Sequence, residues 1–199
     1  MDHTFLRWIT KAVTALILLY STSLLANTND KQGYFYGVKF DSKNSIGGTD
    51  ANTFGVEFGK HVYDWLDVKV STNYTNKEGV GSRGDSYRLE AGPKFKYKLN
   101  KDWSTSLFLA TGQKFVKDDD FGYWVVTPGV KYKINQDWSL GTSVRFRNSY
   151  DTSHNQSDRT YAVKLGYKIT PDVTVSTRYR MKRGDSEYNA IGVGFKFEF

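Results

Sequence analysis

Two short stretches carry paired guanidinium groups: "VRFRN", with Arg145 and Arg147, and "TRYRMK", with Arg178, Arg180 and Lys182. An Arg-x-Arg spacing puts both side chains on one face of an extended chain. A guanidinium is a planar fork that grips a carboxylate through two parallel hydrogen bonds. Repeated forks on one face suit an acidic partner, and an acidic polymer above all. More cations fall on the same alternating face elsewhere: Lys39, Lys69, Arg88, Lys94, Lys96, Lys114, Lys131, Lys164 and Lys196, with Lys98, Lys133 and Lys168 at the ends of runs.

Other chemistry is thin. There is no Cys, so neither a disulfide framework nor thiol chemistry is available. Beyond the N-terminal segment only His61 and His154 remain. Ser153 and His154 share a polar loop, and Asp118, Asp119 and Asp120 share another. Three adjacent loop acids could hold a divalent cation or bridge lipopolysaccharide, but such runs are more often simply solvated. Neither group forms a catalytic constellation. No enzyme activity, metal site or cofactor is expected.

The elements that carry the cations are strands. Three stretches look alike: "YKLNKDWSTSL" from Tyr97, "YKINQDWSLGT" from Tyr132 and "YKITPDVTVST" from Tyr167, 35 residues apart. Pro93 and Pro128 share the spacing, and a looser copy, "HVYDWLDVKV", begins at His61. Each copy ends one alternating run and starts the next around a tight turn of Asn, Asp, Lys or Pro. Longer polar loops separate these turns, at 42–51, 75–85, 116–122, 151–158 and 182–187. Period-two runs predict ten strands at about 33–41, 52–61, 65–74, 86–98, 103–115, 123–133, 138–150, 159–168, 173–181 and 188–199. Bulges are expected at Pro93 and Pro128, because Pro removes a ladder bond and a closed barrel has no edge to hide it.

The face opposite the cations is apolar and almost free of charge. Its aromatics gather near the strand ends. Trp103, Trp138, Tyr97, Tyr132, Tyr167 and Phe199 lie towards the short turns; Tyr34, Phe54, Tyr74, Tyr87, Trp124, Phe146, Tyr161 and Tyr179 lie towards the loops. Two aromatic belts around an aliphatic band match a lipid-facing wall. The fold expected is all-β: a closed antiparallel transmembrane β-barrel of about ten strands, with eight or twelve as alternatives, short periplasmic turns and longer extracellular loops.

Residues 1–26 read as a signal peptide. Arg7 and Lys11 precede an apolar stretch from Ala12 to Tyr20, and small and polar residues run to Ala26. Removing Asp2, Arg7 and Lys11 from 28 basic and 21 acidic residues leaves 26 against 20, a net charge of +6 on the barrel domain, 27–199. That charge alone would fit a nucleic-acid binder. Spread over ten strand faces of an exported chain, it does not.

The ending "GVGFKFEF", with Val193, Phe195, Phe197 and Phe199, resembles the terminal strand of Gram-negative outer-membrane proteins. That resemblance implies an outer-membrane location among lipid and lipopolysaccharide, and recognition of the strand by the barrel-assembly machinery. "YKITPDVTVSTRYRMK" and "DWSLGTSVRFRN" are similar to stretches of the oligogalacturonate-specific porins, narrow barrels that pass acidic oligosaccharides. That family uses twelve strands in a longer chain, against the ten counted here.

On this reading the basic face lines a lumen. With the rim residues Lys98, Lys133, Lys168, Arg147 and Arg180 set aside, eleven inward cations oppose Asp41, Glu57, Asp67, Glu90 and Glu198. Two like charges about 8 Å apart repel by about 2 kcal/mol at an effective dielectric near 20. Several such pairs would overwhelm a marginal fold. The lumen is therefore expected to hold water and to attract anionic solutes, as rings of Lys and Arg do in anion pores. A closed structural or adhesion-type barrel with an internal salt-bridge network is the alternative.

Overall fold

A computed structural model describes residues 33–45, 50–78, 85–116, 120–150, 157–184 and 187–199. The expected signal peptide, the Asp118–Asp119 pair and the Ser153–His154 pair lie outside these residues. Ten strands follow one another: β1 (Tyr34–Ser45), β2 (Asp50–Tyr63), β3 (Leu66–Glu78), β4 (Ser86–Lys98), β5 (Trp103–Val116), β6 (Phe121–Lys133), β7 (Trp138–Ser149), β8 (Ser157–Thr170), β9 (Val173–Gly184) and β10 (Tyr188–Glu198). Each pairs antiparallel with its neighbours in sequence, and β10 returns to β1, so the sheet closes. Following the registers once round displaces the starting residue by about 12 positions, which tilts the strands and keeps the bore narrow for ten of them.

The strand count and the closure agree with the sequence reading, but the strands outrun their expected ends at the loops. β1 continues to Ser45, β3 to Glu78 and β9 to Gly184, while β8 starts at Ser157. Much of what reads as polar loop is paired strand. The alternation of apolar residues stops where the wall leaves lipid; the backbone ladder does not, because its hydrogen bonds form equally well between polar residues.

The short turns explain the repeat. Asn100 Oδ1 accepts hydrogen bonds from the backbone N–H groups of Asp102 and Trp103, both at 2.9 Å. Asn135 Oδ1 does the same for Asp137 and Trp138, at 2.9 and 2.8 Å. Each such Trp then lies against the Tyr of the next copy: Trp103 on Tyr132 and Trp138 on Tyr167, both with ring centroids 4.7 Å apart. The third copy replaces Asn with Thr170 and Trp with Val173, and there the register slips between Lys168 and Thr170. A second slip falls between His61 and Tyr63.

The expected bulges at Pro93 and Pro128 are absent. Val68 pairs with Pro93, and Leu107 with Pro128, in unbroken register. On the other side of each Pro, two rungs drop out of the ladder without shifting it. A residue's N–H and C=O point to the same neighbouring strand, so a missing N–H weakens one interface only. Beside Pro93 the strands also crowd: a Cβ on Gly92 would lie 2.0 Å from the Leu109 carbonyl oxygen.

The outer face is apolar and exposed. Phe58, Val70, Leu89, Leu107, Leu140, Val163, Leu165 and Val193 all open outward. Apolar surface on this scale is stable against lipid and not against water. The interior is polar but contains a patch the sequence reading missed: Phe35, Phe108, Phe121, Tyr123 and Val125 point inward and are buried. Phe121, Tyr123 and Val125 pack with Ala110.

Candidate functional site

The thirteen basic residues expected to line the lumen, Lys39 through Lys196, occupy inward positions of the ladder. Lys39, for instance, shares its face with Asp41, and Arg145 reaches Glu90 across the bore. They divide into two groups by their partners.

The first group is knotted to carboxylates in the loop half. Asp41, fully buried on β1, accepts from Arg178 Nε at 2.6 Å and Arg178 Nη2 at 2.8 Å. Arg180 Nη2 lies 2.6 Å from Oδ2, the oxygen that also accepts from Arg178 Nη2. These arginines stand on β9, so the link passes over β10. Gly192 makes room for it, since a Cβ there would fall 2.0 Å from Asp41 Oδ1. Glu90 on β4 receives a two-pronged grip from Arg145 on β7, at 2.6 and 3.1 Å, and a hydrogen bond from the Tyr123 hydroxyl at 2.9 Å. Asp158 on β8 takes Arg147 and, at 3.1 Å, Lys182.

This corrects the expectation that the Arg-x-Arg forks stand free for solutes. Arg145, Arg147, Arg178 and Arg180 each meet a carboxylate of the protein itself. The inward acids assigned from sequence also omitted Asp158, which reads as loop there and is strand in the structure. Desolvated charges of this kind persist only when paired in good geometry.

The second group lies towards the middle and the short turns. Here pairing is partial. Asp67 bonds His61 Nδ1 at 2.6 Å and Lys96 Nζ at 2.5 Å. Lys69 meets Glu57 at 3.5 Å and sits over the Phe108 ring, 4.2 Å from its centroid. Lys196 meets Glu198 at 2.6 Å and sits over Phe35 at 4.3 Å. Lys39, Lys94, Lys131 and Lys164 have no carboxylate within salt-bridge distance among the described residues. Nor do Arg88 and Lys114, nearer the loops. Lys131 and Lys164 are inward and yet exposed, so solvent reaches them inside the wall. Lys131 pairs with Gly141, Gly141 with Lys164, and Lys164 with Arg178, which makes a slanting row of cations that ends at the Asp41 knot.

Among the described residues no cluster of His, Cys, Asp and Glu is suited to a metal ion. Asp120 Oδ1 accepts from the Val116 N–H at 2.9 Å and so serves to turn the chain.

No protein-family model and no characterised protein sequence matches this chain. Solved structures do. The NanC porin superposes with a TM-score of 0.51 at 16% identity, over 82% of this chain and 100% of the other. The outer-membrane protease OmpT from Escherichia coli does so with a TM-score of 0.51 at 10% identity, over 87% and 99%. The KdgM porin in complex with disordered oligogalacturonate reaches 0.48 at 12% identity, over 82% and 99%, too distant to carry an argument. The chain thus has the fold of outer-membrane β-barrel proteins. A porin and a protease match it equally well, so the fold does not choose between transport and catalysis.

Proposed function

We propose that this protein is an outer-membrane channel whose basic lumen favours small anionic solutes. The observation that carries the reading is the set of inward lysines with no carboxylate within salt-bridge distance among the described residues: Lys39, Lys94, Lys131 and Lys164. Such a set is unfavourable in a dry interior and favourable in a wet, anion-attracting one. Lys131 and Lys164 give an anion successive sites along the wall, short of the Asp41 knot. Acidic oligosaccharides fit the same chemistry. In this reading residues 1–26 are removed on export, and Val193, Phe195, Phe197 and Phe199 present β10 to the barrel-assembly machinery. Planar-bilayer recording of the refolded barrel tests it: steps of current with an anion-favouring reversal potential in a salt gradient support it, and an absence of current sinks it.

A second reading, a closed barrel, is favoured by one observation. The Asp41, Glu90 and Asp158 knots cross the loop half of the bore and are buried there. The bilayer experiment separates the two.

A further inference from the structure

Five cations, Arg88, Lys114, Lys43, Arg147 and Lys182, share the loop half of the lumen with Asp158, beside the Asp41 and Glu90 knots. Arg88 on β4 and Lys114 on β5 are direct cross-strand partners, and neither has a carboxylate within salt-bridge distance among the described residues, although Glu90 stands two residues from Arg88 on the same face. Like charges placed opposite each other in a ladder repel. Lys43 on β1 is 7% exposed, and its hydrogen bond is a long one, 3.4 Å to Thr75 Oγ1. Its ladder neighbours are small, Ala190 on one side and Ala51 on the other. Arg147 and Lys182 share Asp158. The Arg147 Nε is buried without a hydrogen-bond partner. These groups feel one another: Arg88, Arg180 and Lys182 act on Lys43 against the opposing Asp41, and Arg147, Arg88 and Lys182 act on Lys114.

A buried excess of cations with an orphaned guanidinium N–H is short of an anion. We propose that the loop half of the lumen is a binding site for a compact, multiply charged oxyanion of the phosphate type, held between the Arg88–Lys114 pair and Lys43, with Arg147 and Lys182 beside it. A single chloride would offset one charge and accept few hydrogen bonds. A tetrahedral oxyanion supplies up to two charges and several acceptors, which suits donors arriving from β1, β4, β5, β7 and β9. The site does not need the barrel to conduct.

The test uses the refolded barrel in a maltoside detergent free of lipid and phosphate. Inorganic phosphate is titrated by calorimetry against a chloride background of constant ionic strength, and the melting temperature is followed in parallel. One saturable site and a rise in melting temperature are expected. R88Q/K114Q should weaken phosphate binding at least ten-fold, yet melt no lower than the parent in chloride alone, because a repulsive pair has gone. K168Q, at the opposite mouth, should keep the full phosphate response. If the double variant does not refold, K114Q alone should still weaken binding several-fold. No phosphate response beyond that of chloride overturns the site. So does unchanged affinity in R88Q/K114Q or K114Q, and so does a response that needs added lipopolysaccharide, which would place the phosphate group on lipid. Current without phosphate binding removes this site and leaves the channel. Phosphate binding without current removes the channel and leaves the site.

Discussion

At Glu90 one side chain holds three strands together. It stands on β4, and it accepts from Arg145 on β7 and from Tyr123 on β6. Its neutral isostere keeps the shape and loses the charge. Glu90→Gln should leave Arg145 facing an amide in a mostly desolvated place, at a cost of about 3 kcal/mol. Urea unfolding of the refolded barrel should show the loss, and a midpoint equal to the parent's would show that water already solvates Arg145. Gly192 makes a separate prediction. Its hydrogen occupies the gap through which Asp41 reaches Arg178, so Gly192→Ala must displace the Asp41 carboxylate. The variant should lower the melting temperature by several degrees. In an Asp41→Asn background, where the arginine link is already weakened, the same change should cost less. Equal losses in both backgrounds would mean that Gly192 matters to the backbone alone.

At the scale of the strand, β10 has two tasks. It closes the sheet against β1, with Phe197 stacked on Tyr36 at 4.5 Å, and it carries the apolar alternation expected of an assembly signal. The tasks can be separated by comparison with another lipid-facing pair. F195A/F197A removes two large side chains from β10; V163A/L165A removes two from β8, where Val163 and Leu165 also open outward. Insertion into the outer membrane, read as the heat-modifiable folded fraction, should fall much further for the β10 variant, while both refold in detergent. Matching losses in cells would leave β10 as an ordinary wall strand. The repeat also belongs to this scale. Its Asn, Asp and Trp positions are legible in the sequence, and the structure supplies the reason for their spacing: the Asn side chain caps the turn, and the Trp of one hairpin lands on the Tyr of the next.

For the whole molecule the relevant quantity is the field inside the bore. Lys39, Lys94, Lys131 and Lys164 have no carboxylate within salt-bridge distance among the described residues, whereas Arg145 and Arg178 also hold the barrel together. Changing the four lysines to Gln therefore removes field without cutting a knot. Anion preference in reversal-potential measurements should drop in this variant. In the parent it should fade as salt rises, because the screening length shortens to about 3 Å at 1 M. A preference indifferent both to salt and to these four charges would assign selectivity to size alone. Block by acidic but not neutral oligosaccharides of equal length would further support an acidic solute, and equal block by both would remove it.

What the sequence determined by itself is the wall. Period-two alternation, aromatic belts and a repeat of turn residues are all local, and lipid on one side and water on the other impose them strand by strand. About ten strands, with eight or twelve as alternatives, and a basic face opposite the apolar one are legible in that pattern. The ends of the strands are not, since backbone pairing continues after the apolar signal stops. Nor is the occupant of the lumen. Asp41 and Arg178 lie 137 residues apart, and Glu90 and Arg145 lie 55 apart. Which cation meets which acid depends on the stagger of the closed sheet and on which strands face each other across it. No pattern within a strand records those distances. Tertiary structure alone decided that the Arg-x-Arg forks grip the protein's own carboxylates, that Phe35, Phe108 and Tyr123 fill part of the bore, and that among the described residues a few lysines and Arg88 are left without a salt-bridge partner.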